Sequence, residues 1–133
     1  MNIAEAWSAN THFRPLPNWI AIDLGRAMQV TSLVTKGRDS VHNQWVTLYS
    51  LDSSLDGEVW TPIENPVAPG SFLFEGNFDR NTERQYNLNT FTRFFRLNVQ
   101  DYHAHPSLRW GVFACEGEIP KNVTITYLSL HFA

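Results

Sequence analysis

The sequence predicts an all-β domain built as an antiparallel β-sandwich or jelly roll. Three observations carry that expectation. Apolar residues alternate or cluster in short runs rich in Val, Ile, Thr, Phe and Tyr. Turn residues part these runs about every eight to twelve positions, the spacing of short strands. No window holds a 3.6-residue apolar stripe of the kind a helix needs. Half-buried strands joined by short turns must lay one face of each sheet against the other, and the sandwich follows.

In chain order, the first run spans 19–24 and is closed by Asp23-Leu24-Gly25-Arg26. Runs over 28–36 and 45–52 follow, and Asp56-Gly57 marks the turn into 58–63. Pro66 to Gly70 is a Pro/Gly loop before a run at 71–75. The remaining runs cover 84–89, 93–100, 107–115 and 122–132. The last changes phase near Tyr127: Val123, Ile125 and Tyr127 share one parity, and Leu128, Leu130 and Phe132 share the other. A bulged strand or one buried on both faces reads that way. The expected core is Trp19, Ile20, Ile22, Leu24, Val30, Leu33, Val46, Leu48, Trp60, Phe94, Phe95, Leu97, Leu108, Val112 and Phe113.

Composition narrows the function classes. A chain of 133 residues has room for one sizeable core, and no repeat or linker divides it. With 43% hydrophobic and 17% charged residues it lies far from the composition of disordered chains. A net charge of −3 supplies no basic field for nucleic acid or anionic lipid, so neither is an expected partner. No apolar stretch is long enough to span a membrane, and 1–8 lacks the basic and apolar regions of a signal peptide. A single cysteine, Cys115, excludes an internal disulfide and a Cys-based zinc site; it is a buried thiol or half of a bridge to a partner outside this chain.

Several strings in this scaffold resemble the discoidin family, the coagulation factor 5/8 type C domains, in order and at family-like spacing. They include Asn18 to Gly25, Thr35-Lys36-Gly37-Arg38, Gln44-Trp45-Val46 and Asp56 to Thr61. Phe74 to Thr82, Arg93 to Leu97 and Leu108 to Cys115 continue the series, which covers about residues 7–116. The resemblance implies an eight-stranded, galactose-binding-domain-like jelly roll at the cell surface or outside the cell. It further implies ligand binding through loops at one end, commonly to glycans, lipid head groups, collagen or other proteins. It leaves room for a structural calcium held by loop carbonyls; no other cofactor is expected.

Two departures stand out. Family members usually begin earlier, with a first strand, a projecting loop and a cysteine that pairs with the one matching Cys115. The expectation is therefore a shortened domain over 1–117 and a β-prone extension over 118–133 that packs on it in the place of the first strand. The rival readings are strand exchange between subunits, which makes a homo-oligomer, and a tail that forms no ordered part of the domain. An open apolar edge would otherwise invite aggregation.

The best candidate ligand loop contains Arg38, Asp39, His42, Asn43 and Trp45, because sugars need fixed hydrogen-bonding groups beside an aromatic face. Its rival reading is a solvated polar hairpin. Asn77, Asp79 and Arg80 form a second candidate loop, and Tyr102, His103 and His105 a third. Arg38, Asp79 and Arg80 follow Gly-containing turns, where charges either brace loops or meet ligand. Asp23 and Arg109 read as structural charges that tie strands together. His103-Ala104-His105 would put two imidazoles on one side of an extended segment, a spacing a metal can use, but two histidines do not make a site and no metal site is assigned. Val41 is the only apolar tip seen in the candidate loops, which argues against membrane insertion. Asn122-Val123-Thr124 is a glycosylation sequon, although attachment conflicts with burial of that strand.

No nucleophile elbow, P-loop, dinucleotide fingerprint or zinc-protease motif is present, so no catalytic residue is assigned. The expected function is a non-catalytic, lectin-like or adhesion module that binds glycan or glycoprotein. The alternatives are a collagen- or receptor-type adhesion domain and the accessory domain of a larger hydrolase.

Overall fold

The computed structural model of the protein describes residues 7–8, 18–38, 41–116 and 125–129. They form eight strands: β1 (Trp7–Ser8), β2 (Asn18–Lys36), β3 (Trp45–Ser54), β4 (Thr61–Pro62), β5 (Leu73–Glu75), β6 (Arg84–His103), β7 (Ser107–Glu116) and β8 (Ile125–Ser129). All pairings are antiparallel.

The long strands β2 and β6 make the sandwich by passing from one layer to the other. The second half of β2 (28–36) lies between β7 and the first half of β6, whereas Asn18 to Asp23 pairs with the second half of β6. That second half in turn carries β3, with β4 and β5 beyond it. The expected break at Asp23 to Arg26 is thus a bend inside one strand. The register slips between Asp23 and Met28, and Gly25 takes φ +86°, a left-handed conformation that glycine adopts without cost. The Asp23 carboxylate holds this bend by accepting the Gly25 N–H at 2.8 Å and the Arg93 fork at 2.8 and 2.9 Å. Asp23, exposed rather than half-buried, thus ties β2 to β6 through Arg93.

The layers meet through rings. Phe95 of β6 stacks on Trp110 of β7 at 6.2 Å, and Phe74 of β5 meets Tyr86 of β6 edge-on at 5.1 Å. Ile20, Ile22, Val30, Leu33, Val46, Phe95, Leu97, Leu108 and Val112 are buried as expected. Trp19 is not: it is 52% exposed. Ile20 and Ile22 take the inward phase of the strand, so Trp19 faces out, within 5.8 Å of the Arg96 guanidinium. Trp60 covers the same guanidinium at 4.1 Å and is only half buried, as are Leu24, Leu48, Phe94 and Phe113. In their place Tyr49, Leu51, Phe74, Tyr86, Val99 and Trp110 fill the centre.

β1 and β8 both pair with β7, β8 along the edge away from β2. Trp7 and Ser8 face Leu108 and Ser107, and Ile125 to Ser129 run opposite Cys115 to Gly111. Cys115 is buried with a free thiol. The sequon at Asn122 lies outside the described residues.

Candidate functional site

The turns joining strand ends at one pole of the sandwich contain the three expected loops. Lys36 and Arg109 are register partners, as are Thr35 and Arg84, Trp45 and His103, and Leu48 and Glu75. An ion pair of 3.2 Å between Arg84 and Glu75 joins the two layers there.

Arg109 organises two of the loops. Its guanidinium donates to the Gly37 carbonyl at 2.8 Å, the Arg80 carbonyl at 2.9 Å and the Asn81 side chain at 2.9 Å. The approach is so close that a Cβ on Gly37 would lie 2.6 Å from Arg80 Cα. Within the second loop, the buried Asn77 amide donates to the carbonyls of Thr35 and Thr82 at 3.0 and 3.1 Å. Asp79 accepts the Asn81 and Thr82 N–H groups and the Thr82 hydroxyl. Those bonds, led by the Thr82 hydroxyl, hold its carboxyl below the usual carboxylate range. Asn77 and Asp79 therefore brace the loop. Arg80 lends it a carbonyl, and its half-buried side chain has no ion pair among the described residues.

Arg38 belongs to a polar chain between the first and third loops. It donates to the Gln44 side-chain oxygen at 2.9 Å, the same oxygen accepts the Ser107 hydroxyl at 3.1 Å, and that hydroxyl meets His105 Nδ1 at 3.0 Å. His42 and Asn43 are exposed on the first loop, and Asp39 lies outside the described residues. The segment from His103 to His105 is not extended as the two-imidazole pattern requires. Ala104 sits at φ 65° and the His105 N–H bonds the His103 carbonyl at 2.7 Å, so the chain turns there. The two histidines accordingly have different partners: His105 meets Ser107, while His103 stacks on Trp45 with ring centroids 4.3 Å apart and planes 14° from parallel. Among the described residues no group of three His, Cys, Asp or Glu is placed to hold a metal.

The Trp45–His103 stack borders an open groove of about 540 Å³ whose other walls include Glu75, Phe78, Arg84 and Asp101. Irregular register creates it. Phe95, Leu97 and Val99 face the core at every second position, and regular alternation would send Asp101 and His103 inward after them. Instead the β3–β6 register slips twice, between Val46 and Leu48 and between Leu48 and Tyr49. The shift reverses the phase, so that Tyr102 packs against the core while Asp101 and His103 face out. Simple strand parity could not find Asp101, and it was not among the expected site residues; nor were Glu75, Phe78 and Arg84. Phe78 is 65% exposed and Val41 73%, so the loop end has two apolar tips where one was expected.

Such a groove offers a flat ring face, an apolar edge and acceptors within reach of one small polar ligand. Three comparisons bear on it. The chain is 34% identical over 114 residues to lactadherin of Bos taurus, an alignment covering 84% of this chain and 26% of that protein. It thus spans about a quarter of the length of the lactadherins it matches. Discoidin II of Dictyostelium discoideum superposes with a TM-score of 0.72 at 28% identity, covering 88% of this chain and 44% of the other. The domain CpGH89CBM32-5 of Clostridium perfringens, solved in complex with GalNAc-beta-1,3-galactose, shares the fold with a TM-score of 0.63 at 20% identity, over 80% of this chain and 73% of that one. The model of the F5/8 type C domain matches residues 2–112, and the chain belongs to that family, the discoidin domains.

Proposed function

We propose that this domain is a non-catalytic, lectin-like module that acts outside the cell or at its surface and binds glycan in the groove beside Trp45. The stacked Trp45–His103 pair carries the reading. Two parallel rings stacked at one edge of an open groove hold each other in place and leave an outer ring face on which a pyranose ring packs, and Asp101 supplies acceptors for its hydroxyls. The fold neighbour solved with GalNAc-beta-1,3-galactose supports a sugar as the class of ligand. Nothing in this mode of binding calls for a metal, and chelation with EDTA is expected to leave it unchanged.

A shallow, open groove gives weak binding to a single sugar, near ~1 mM, and useful retention then comes from several copies. The test is a glycan array followed by calorimetric titration of the hits against the parent and Trp45→Ala. The expected result is binding of galactose-type glycans that Trp45→Ala weakens at least about tenfold, the ~1.4 kcal/mol of a lost ring contact. A folded parent that binds no glycan overturns the proposal.

The exposed Val41 and Phe78 favour a second reading, adhesion to another protein through the same loops. Replacing Val41, which lies outside the groove lining, by serine separates the two: glycan binding survives that change, and protein adhesion is weakened.

A further inference from the structure

We infer that the groove selects uncharged sugars and rejects acidic ones, with Asp101 as the residue that sets this specificity; the inference rests on the glycan reading above. The two carboxylates that line the groove are unequal. Glu75 is neutralised by Arg84 at 3.2 Å, and Arg84 is the one arginine or lysine on the groove wall. Lys36 is engaged nearby with Glu83 at 3.8 Å, and Arg38 with Gln44 at 2.9 Å. Asp101 has no cation partner among the described residues. One of its oxygens accepts the Tyr102 N–H at 2.8 Å. The other remains for a ligand.

The bulge that reverses the strand phase brings this carboxylate to the surface next to His103, and a strand that merely needed a soluble exterior would not require that displacement. A carboxylate beside a ring platform accepts two neighbouring hydroxyls of one sugar, hydrogen bonds that are strong because the acceptor is charged. The same charge repels a second carboxylate or a sulfate. At about 6 Å, with screening appropriate to a wet groove, the repulsion corresponds to about a tenfold loss of affinity. Arg84 is already paired and offers little compensation.

The test titrates the purified chain with lactose, sialyllactose and fucosyllactose, the last a neutral trisaccharide that controls for size, at low and high salt. Lactose and fucosyllactose are expected to bind similarly, and sialyllactose about tenfold more weakly. High salt is expected to narrow that gap, because exposed charges are screened beyond about 10 Å at 0.1 M salt and more strongly above it. Asp101→Asn is expected to weaken lactose and to bring the lactose-to-sialyllactose ratio close to one. Equal or tighter binding of sialyllactose by the parent overturns the inference while leaving the glycan reading intact. A gap that ignores salt and is shared by fucosyllactose overturns it as well, since size rather than charge would then discriminate. Absence of binding to all three sugars overturns both. The salt series uses the unaltered protein and does not depend on the variant folding.

Discussion

Replacing Gly76 by alanine is expected to damage the fold and the groove together. Gly76 follows β5, where its N–H donates to the Thr47 carbonyl at 2.8 Å and the next N–H, of Asn77, donates to the Val46 carbonyl at 2.8 Å. A Cβ there would overlap the Val46 carbonyl oxygen and lie 3.0 Å from its carbon and 3.2 Å from that of Thr47. All of these are backbone atoms, so no change of rotamer relieves the clash. The segment must move off β3 at the point where the β3–β6 register slips. Loss of two backbone hydrogen bonds costs about 1–3 kcal/mol. In a domain of this size that lowers the melting temperature by about 5–10 °C. Gly25→Ala is the control: φ is +86° there but nothing lies within 4 Å, so only conformational strain of about 1–2 kcal/mol is expected. Calorimetric melting of the two variants against the parent checks the prediction, with sugar titration as a second readout. A Gly76→Ala protein that melts within about 2 °C of the parent and still binds sugar refutes the reasoning, because it would show that the close approach is not needed.

Three further outcomes follow from the same geometry. Arg109→Lys cannot reproduce the fork that reaches Gly37, Arg80 and Asn81, and is expected to cost about 1–2 kcal/mol in denaturant titration; an unchanged midpoint would contradict the role given to Arg109. Hydrogen bonds from Arg93, and then from the Gly25 N–H, lower the Asp23 pKa to about 2. A depressed pKa stabilises the fold above the unfolded carboxylate value near ~4 and ceases to do so as pH falls through the folded value. The stability gap between the parent and Asp23→Asn, read from melting at stepped pH, should therefore shrink from about pH 5 to about pH 2, and a gap independent of pH would refute it. Deleting 118–133 removes the strand paired with the outer edge of β7, and is expected to lower the melting temperature and promote association in light scattering; a monomer of equal stability would show that β8 protects nothing.

The sequence made the layers legible where alternation is plain. Ile20 and Ile22, or Phe95 and Leu97, declare an inward phase that fixes their neighbours as outward, so Trp19 and Phe94 lie outside the buried centre despite their apolar rings. Tyr49 and Tyr86 each carry a hydroxyl, yet both rings pack on Phe74 in the core. The passage of β2 and β6 between layers depends on pairing distant in sequence, and Gly25 alone signals a turn as readily as a bend. At the loop end, it was the family resemblance, with its ligand loops at one end of the sandwich, that placed Arg38, Trp45, Asn77 and His103 at one pole. Which of them face a ligand was not legible. Asn77 and Asp79 have the polar side chains of ligand contacts but spend them on backbone groups of their own and adjoining segments. Asp101 is brought to the groove by a register slip that no residue pattern announces.

The place where a sugar binds is the central claim about this domain. Titrating galactose or lactose into isotopically labelled protein, and following backbone amides and the tryptophan indole N–H signals by NMR, locates the site without altering a residue. The expected shifts centre on Trp45, Phe78, Asp101 and His103, with the Trp19, Trp60 and Trp110 indoles unmoved. Perturbations confined to the opposite pole, around Leu55, Val59 and Phe91, would contradict the assignment of the groove.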